Sequence, residues 1–161
     1  YDPHQPDGYE LATGYKRFSS AEELFETADT ISIHSPLTDE TRGAINANLL
    51  GRMHDRAVVI NTARGPIVDL DAMYDALKAG KPAGAGLDVL PQEPADSNHP
   101  LIQAYMAREE WLEGRLMVSP HAAFYSPPGL LDLRTKAAQT AAQRIRDGSV
   151  RNCQNLSLIH I

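Results

Sequence analysis

The stretch Ala57-Val-Val-Ile-Asn-Thr-Ala-Arg-Gly65, with the segment 66–79 behind it, decides the fold class. Residues 57–61 form a short β-branched run, the pattern of a strand in a buried parallel sheet. Segment 69–79 then changes to helical period. Leu70, Met73, Ala76 and Leu77 fall on one face and Gly80 follows the last turn. Strand, polar turn and amphipathic helix in that order make one half of a βαβ unit. The alternation extends in both directions. Strands are predicted at 30–34, at the Gly/Ala-rich run 83–89, whose small residues permit close backbone approach, and at 116–119, with a weaker one at 15–18. Ser20-Ala-Glu-Glu23 is a capping box opening a helix through about Thr27, and a short helix is predicted around 46–53. Segment 37–41 reads as a polar turn and 91–100 as a loop. Helices are predicted at 101–112 and at 127–147, where Ala137, Ala138, Ala141 and Ala142 suggest tight packing against a neighbour. The sum is an α/β protein with a doubly wound parallel sheet.

Three polar residues follow strand-like runs. Arg64 lies in Val58-Val-Ile-Asn-Thr-Ala-Arg-Gly65, Glu93 in Leu87-Asp-Val-Leu-Pro-Gln-Glu-Pro94, and His121 in Val118-Ser-Pro-His-Ala-Ala123. Residues after parallel strands converge on the crevice where open α/β sheets bind ligands. Their chemistry suits reduction of a 2-oxo acid. An arginine grips a carboxylate with two parallel hydrogen bonds. A histidine delivers a proton to a carbonyl oxygen near neutral pH, and a neighbouring glutamate orients it and favours its protonated form.

Composition narrows the remaining classes. The 161 residues suffice for one domain with a real core, and the net charge is -6. Lys and Arg are scattered and outnumbered, so no nucleic-acid surface is expected. Cys153 is the only cysteine, which allows no internal disulfide and fits a reducing, cytoplasmic setting. No apolar run approaches membrane-spanning length and no stretch present reads as a signal peptide, which says little of a fragment. His54-Asp55 and His99 form no ligand cluster, so no metal is expected, and the Gly-x-Ser-x-Gly elbow of a hydrolase is missing. His4, His34, His54, His99 and His160 match no catalytic position.

Both ends suggest a fragment. The chain opens on Tyr1-Asp-Pro3 without an initiator Met, in a stretch resembling a strand end. It closes on Leu156-Ser-Leu-Ile-His-Ile161, the translation of CTG TCT CTT ATA CAC ATC, which matches a transposon end used in tagmentation libraries. Residues 156–161 are therefore expected to be a sequencing-adapter artefact; the alternative is a short genuine C-terminal strand.

Several motifs in order resemble the nucleotide-binding domain of the D-isomer-specific 2-hydroxyacid dehydrogenases, over essentially residues 1–155. They are Tyr1-Asp-Pro3, His34-Ser-Pro-Leu-Thr-Asp-Glu-Thr41, Asn61-Thr-Ala-Arg-Gly-Pro-Ile-Val-Asp69, Gly84-Ala-Gly-Leu-Asp-Val89, Gln92-Glu-Pro94 and Ser119-Pro-His-Ala-Ala-Phe-Tyr-Ser126. His121-Ala-Ala-Phe-Tyr-Ser126 and Arg151-Asn-Cys153 further resemble the C-terminal-binding-protein-like branch. There Phe124 stands where animal co-repressors carry Trp, which weakens a co-repressor reading.

The resemblance implies a Rossmann-like NAD-binding domain over 1–126, without the Gly-rich pyrophosphate loop, which would precede Tyr1. It implies a crossing helix and return to a substrate domain over 127–155. It implies NAD as cofactor, a small 2-oxo or 2-hydroxy acid as substrate, and a homodimer formed through the nucleotide domain. Asp2 would bind the adenosine ribose and disfavour a 2′-phosphate, the competing interpretation being an Asx-Pro turn. Ser35, Pro36, Leu37 and Thr41 would line the adenine side. Thr62 and Ala63 would lie beneath the nicotinamide, His121 and Ala123 beside it, and Asp88 would contact the nicotinamide end of the cofactor, the competing interpretation being a strand-end aspartate that caps a loop. Arg64 would bind the substrate carboxylate, and Glu93 and His121 would act as the acid–base pair. An NAD-sensing dimeric scaffold is the alternative function.

Overall fold

The computed structural model describes residues 1–149. Arg151-Asn-Cys153, His160 and the 156–161 tail lie outside the described residues. Strands β1 (Thr30–Ile33), β2 (Val58–Asn61), β3 (Gly84–Leu87) and β4 (Leu116–Val118) form one parallel sheet in the order β1-β2-β3-β4. Thr30 lies opposite Val58, Val58 opposite Gly84 and Ala85 opposite Leu116. The β-branched character of β2 suits a strand paired on both edges. The small residues of β3 do permit close approach, since a Cβ on Gly84 would lie 2.7 Å from the Arg115 carbonyl oxygen.

The helices are α1 (Tyr9–Thr13), α2 (Ala21–Thr27), α3 (Ala47–Arg52), α4 (Leu70–Lys78), α5 (Pro100–Ala107) and α6 (Pro127–Asp147). Except at α1, which begins after Gly8, side chains cap their N-termini. Ser20 Oγ accepts from Glu23 N, Asn46 Oδ1 from Asn48 N and Leu49 N, and Asp69 Oδ1 from Ala72 N. The capping box is offset by one residue, because the Glu23 carboxylate receives the N–H and hydroxyl of Ser19. Helices α2, α3, α4 and α5 pack in sequence as one layer. Against it the sheet buries alternate residues, Ile31, Ile33, Val59 and Leu87, over a core that includes Leu50, Met53, Met73, Leu77 and Leu101. Each such side chain contributes on the order of 2 kcal/mol by leaving water.

Two expectations are corrected. Residues 15–18 form no strand. The Lys16 ammonium instead lies 4.6 Å from the centre of the Phe18 ring and Arg17 bonds to the Gln5 carbonyl, so the segment closes on its own neighbourhood without a ladder partner. The predicted 101–112 helix is two pieces. Arg108 turns left-handed at φ 54°, capping α5, and a 3₁₀ turn resumes at Glu110–Leu112. That turn lets both Ala104 and Leu112 reach the core.

At the N-terminal ends of β3 and β4, Arg115 donates to four carbonyls: Ala83 (2.8 Å), Leu77 (2.8 Å), Pro82 (2.9 Å) and Trp111 (3.0 Å). The chain divides into two compact units, Tyr1–His121 and a second that begins at Ala122. The second contains α6, capped by Ser126 and closed by Gly148, with none of its own residues buried. Among the described residues no helix is long and apolar enough to cross a membrane.

Candidate functional site

All four strands run the same way, so the segments following them emerge on one edge of the sheet. Behind β2, the turn of Thr62, Ala63 and Arg64 is shaped by Asn61, which is fully buried. The Asn61 amide donates to the Arg64 carbonyl at 3.0 Å and its Oδ1 accepts from Ala63 N at 3.0 Å. Arg64 and Thr62 are exposed. Arg64 donates to the Ala63 carbonyl at 2.7 Å and makes no ion pair among the described residues, leaving a cation without an internal counter-charge.

Gly65 joins this turn to the loop behind β3. A Cβ there would lie 2.0 Å from the carbonyl carbon and oxygen of Leu90, so only glycine permits the contact. The N–H of the same Leu90 donates to Glu93 Oε1 at 3.0 Å. The other Glu93 oxygen meets His121 Nδ1 at 2.7 Å. The His121 hydrogen bond, then the Leu90 N–H, hold the Glu93 carboxyl below the ordinary carboxylate range, against partial burial and the nearby Asp88 charge. The predicted acid–base pair is thus in direct contact, with both side chains part-exposed.

Asp88 is buried one residue beyond β3. Its N–H continues the ladder to the Asn61 carbonyl at 3.0 Å, and its carboxylate accepts from Ser119 Oγ at 2.6 Å. His121 sits at φ 52°, a left-handed backbone that non-glycine residues seldom adopt, and donates its N–H to the carbonyls of Asp88 (2.9 Å) and Ser119 (3.0 Å). Backbone bonds therefore tie the Arg64, Asp88 and His121 segments together across the strand ends.

The other expected site residues are more loosely arranged. Behind β1, Ser35 and Pro36 are exposed and Leu37 packs partly on the core. The Thr41 hydroxyl holds that loop together, donating to the Pro36 carbonyl (2.7 Å) and accepting from Thr38 N (2.8 Å). Asp2 closes a local turn through His4 N at 2.9 Å, which lowers its carboxyl from the usual value. Ala123 is exposed in the second unit, two residues beyond His121. Asn61, Ser119 and Gly65 were not singled out from sequence for these roles. Of the three, Asn61 carried a usable signal, an Asx residue two positions before a turn N–H. Among the described residues no cluster of His, Cys, Asp or Glu could hold a metal ion.

A family model described as the D-isomer specific 2-hydroxyacid dehydrogenase, NAD binding domain, matches residues 1–123. The chain belongs to this family. A glyoxylate reductase of Thermofilum pendens is 37% identical over 145 residues, covering 90% of this chain and 39% of that protein. A D-lactate dehydrogenase of Treponema pallidum is 37% identical over 131 residues, covering 78% of this chain and 38% of its own length. The chain thus spans about two fifths of these 2-hydroxyacid dehydrogenases. Among solved structures, the D-lactate dehydrogenase of Aquifex aeolicus complexed with NAD and lactic acid superposes with a TM-score of 0.70 at 29% identity, over 91% of this chain and 45% of that one. The parallel sheet with its helical layer is accordingly the Rossmann-like NAD-binding fold of the family.

Proposed function

We propose that the whole protein interconverts 2-oxo acids and D-2-hydroxy acids with NAD(H), using Arg64, Glu93 and His121. The observation that carries this reading is the 2.7 Å contact of His121 with Glu93, on the sheet edge that also presents an exposed, uncompensated Arg64. When bound, NADH supplies the hydride that reduces the substrate's C2. Arg64 binds the substrate carboxylate through its planar fork, and lysine would be a poor substitute. His121 donates a proton to the carbonyl oxygen as it becomes an alkoxide; in oxidation the neutral imidazole takes the proton back. Glu93, an ionised acceptor at Nδ1, fixes the orientation of the ring.

The donor set behind the strands fits a nicotinamide dinucleotide. Thr62 offers an exposed and Ala63 a half-buried turn residue, and Asp88 a buried acid suited to the nicotinamide end. Ser35, Pro36, Leu37 and Thr41 would flank the adenine side, His121 would lie beside the nicotinamide, and Asp2 would accept from the ribose hydroxyls. Asp2 already accepts from its own turn, so ribose binding must compete with the His4 N–H. The proposal includes a homodimer through this domain, a cytoplasmic location, and a second domain rejoined through residues 127–155. The likeness to the C-terminal-binding-protein-like branch keeps an NAD-sensing scaffold as the rival, while the enzyme names of the relatives support turnover. NADH consumption by the whole protein against glyoxylate, hydroxypyruvate, pyruvate and phenylpyruvate tests the reading. Turnover that ranks these acids is expected. Tight NADH binding without turnover would favour the scaffold.

A further inference from the structure

Resting on that reading, we propose that Ser119 is a positioning residue, acting through Asp88 to hold both the nicotinamide end of the cofactor and the backbone of His121. Ser119 lies just beyond β4 and Asp88 just beyond β3, and the parallel ladder runs on past both strands through Ser119 N to the Leu87 carbonyl at 3.1 Å. The two residues are therefore neighbours in register, and the Ser119 hydroxyl reaches Asp88 Oδ1 at 2.6 Å. Asp88 is 5% exposed. A carboxylate drawn that far from water needs donors, and a short hydroxyl bond to an ionised acceptor is among the stronger ones.

The same two residues carry the two carbonyls that receive the His121 N–H. His121 is in a left-handed conformation, which persists only where the surroundings fix it. The hydroxyl bond thus clamps the two supports of the catalytic imidazole to each other. Pro120 between Ser119 and His121 reinforces the arrangement, because a residue before proline is confined to extended backbone. Arg64 is held separately, by Asn61. Loss of the Ser119 hydroxyl should therefore disturb cofactor binding and proton transfer and spare capture of the substrate carboxylate.

The test compares Ser119→Ala with Ser119→Thr in the whole protein, measuring NADH dissociation constants by fluorescence titration together with kcat and the KM of the oxo acid. Ser119→Ala should weaken NADH binding roughly ten-fold and lower kcat by a similar factor, with KM for the oxo acid within two-fold. Ser119→Thr, which keeps the hydroxyl, should return to within about three-fold of the parent. The proposal is overturned if Ala leaves NADH affinity unchanged, if Thr behaves like Ala, or if Ala lowers only the melting temperature. A parent protein that binds NADH but reduces no oxo acid would sink the dehydrogenase reading alone; the NADH affinities of the two variants would still decide the role of Ser119. A parent that binds no NADH would overturn both.

Discussion

Two arginines mark opposite ends of the same sheet. At the N-terminal ends of β3 and β4, Arg115 is half-buried and bound to four carbonyls from three separate segments. Past the C-terminal end of β2, Arg64 is exposed and, among the described residues, bonds to the carbonyl before it alone. Arg115 has spent its donors on the fold: it satisfies the end of α4 and the turn into β3, which would otherwise leave buried acceptors unmet. The rigid part of the Arg64 site lies underneath, in the buried Asn61 that shapes its turn, while the guanidinium itself stays uncommitted. One end of the sheet uses its arginine to hold the fold together, and the other leaves its arginine exposed, the charge that the proposed function assigns to the substrate carboxylate.

This contrast can be broken by exchanging the consequences of the two substitutions. Arg64→Ala should reduce kcat/KM for the oxo acid by about three orders of magnitude, the largest effect expected, with the denaturation midpoint unchanged. Steady-state kinetics beside urea unfolding would check it, and a matching loss of stability would show that Arg64 is structural after all. Arg115→Ala should do the reverse, lowering the unfolding free energy by about 3 kcal/mol while activity per folded molecule stays near the parent value. The smallest effect concerns acid. The folded Glu93 carboxyl lies below its ordinary value of 4.5, so its contribution to stability is full above that value and is lost as pH falls through the lowered one. With the Glu93 side chain 39% exposed, that contribution is less than about 1 kcal/mol. Glu93→Gln should therefore flatten the fall in stability slightly below pH 4.5, as read by unfolding at a series of pH values.

Much of this was legible in the chain because the signals are local. The β-branched run of β2, the amphipathic period of α4 and the cap at Ser20 each lie within a few residues. The meeting of Glu93 and His121 was legible because parallel strands bring their following loops to one edge. What escaped depends on distance along the chain. Arg115 finds partners up to 38 residues away, and those partners are carbonyls, which every residue has. From sequence Ser119 is only the end of a strand, since its hydroxyl bonds to Asp88, 31 residues earlier. The left-handed turn at Arg108 had no glycine to announce it, and α1, bounded by Gly8 and Gly14, is too short to show a period.

The contact of Gly65 with Leu90 has a consequence for descent. One residue, Leu90, faces the arginine turn with its carbonyl while its N–H holds the Glu93 carboxylate. Neither loop can accept an insertion or a bulkier residue at that point without displacing the other. On the proposed function, a change of substrate preference is therefore expected to come from residues off that junction, with the chemistry at the junction kept intact.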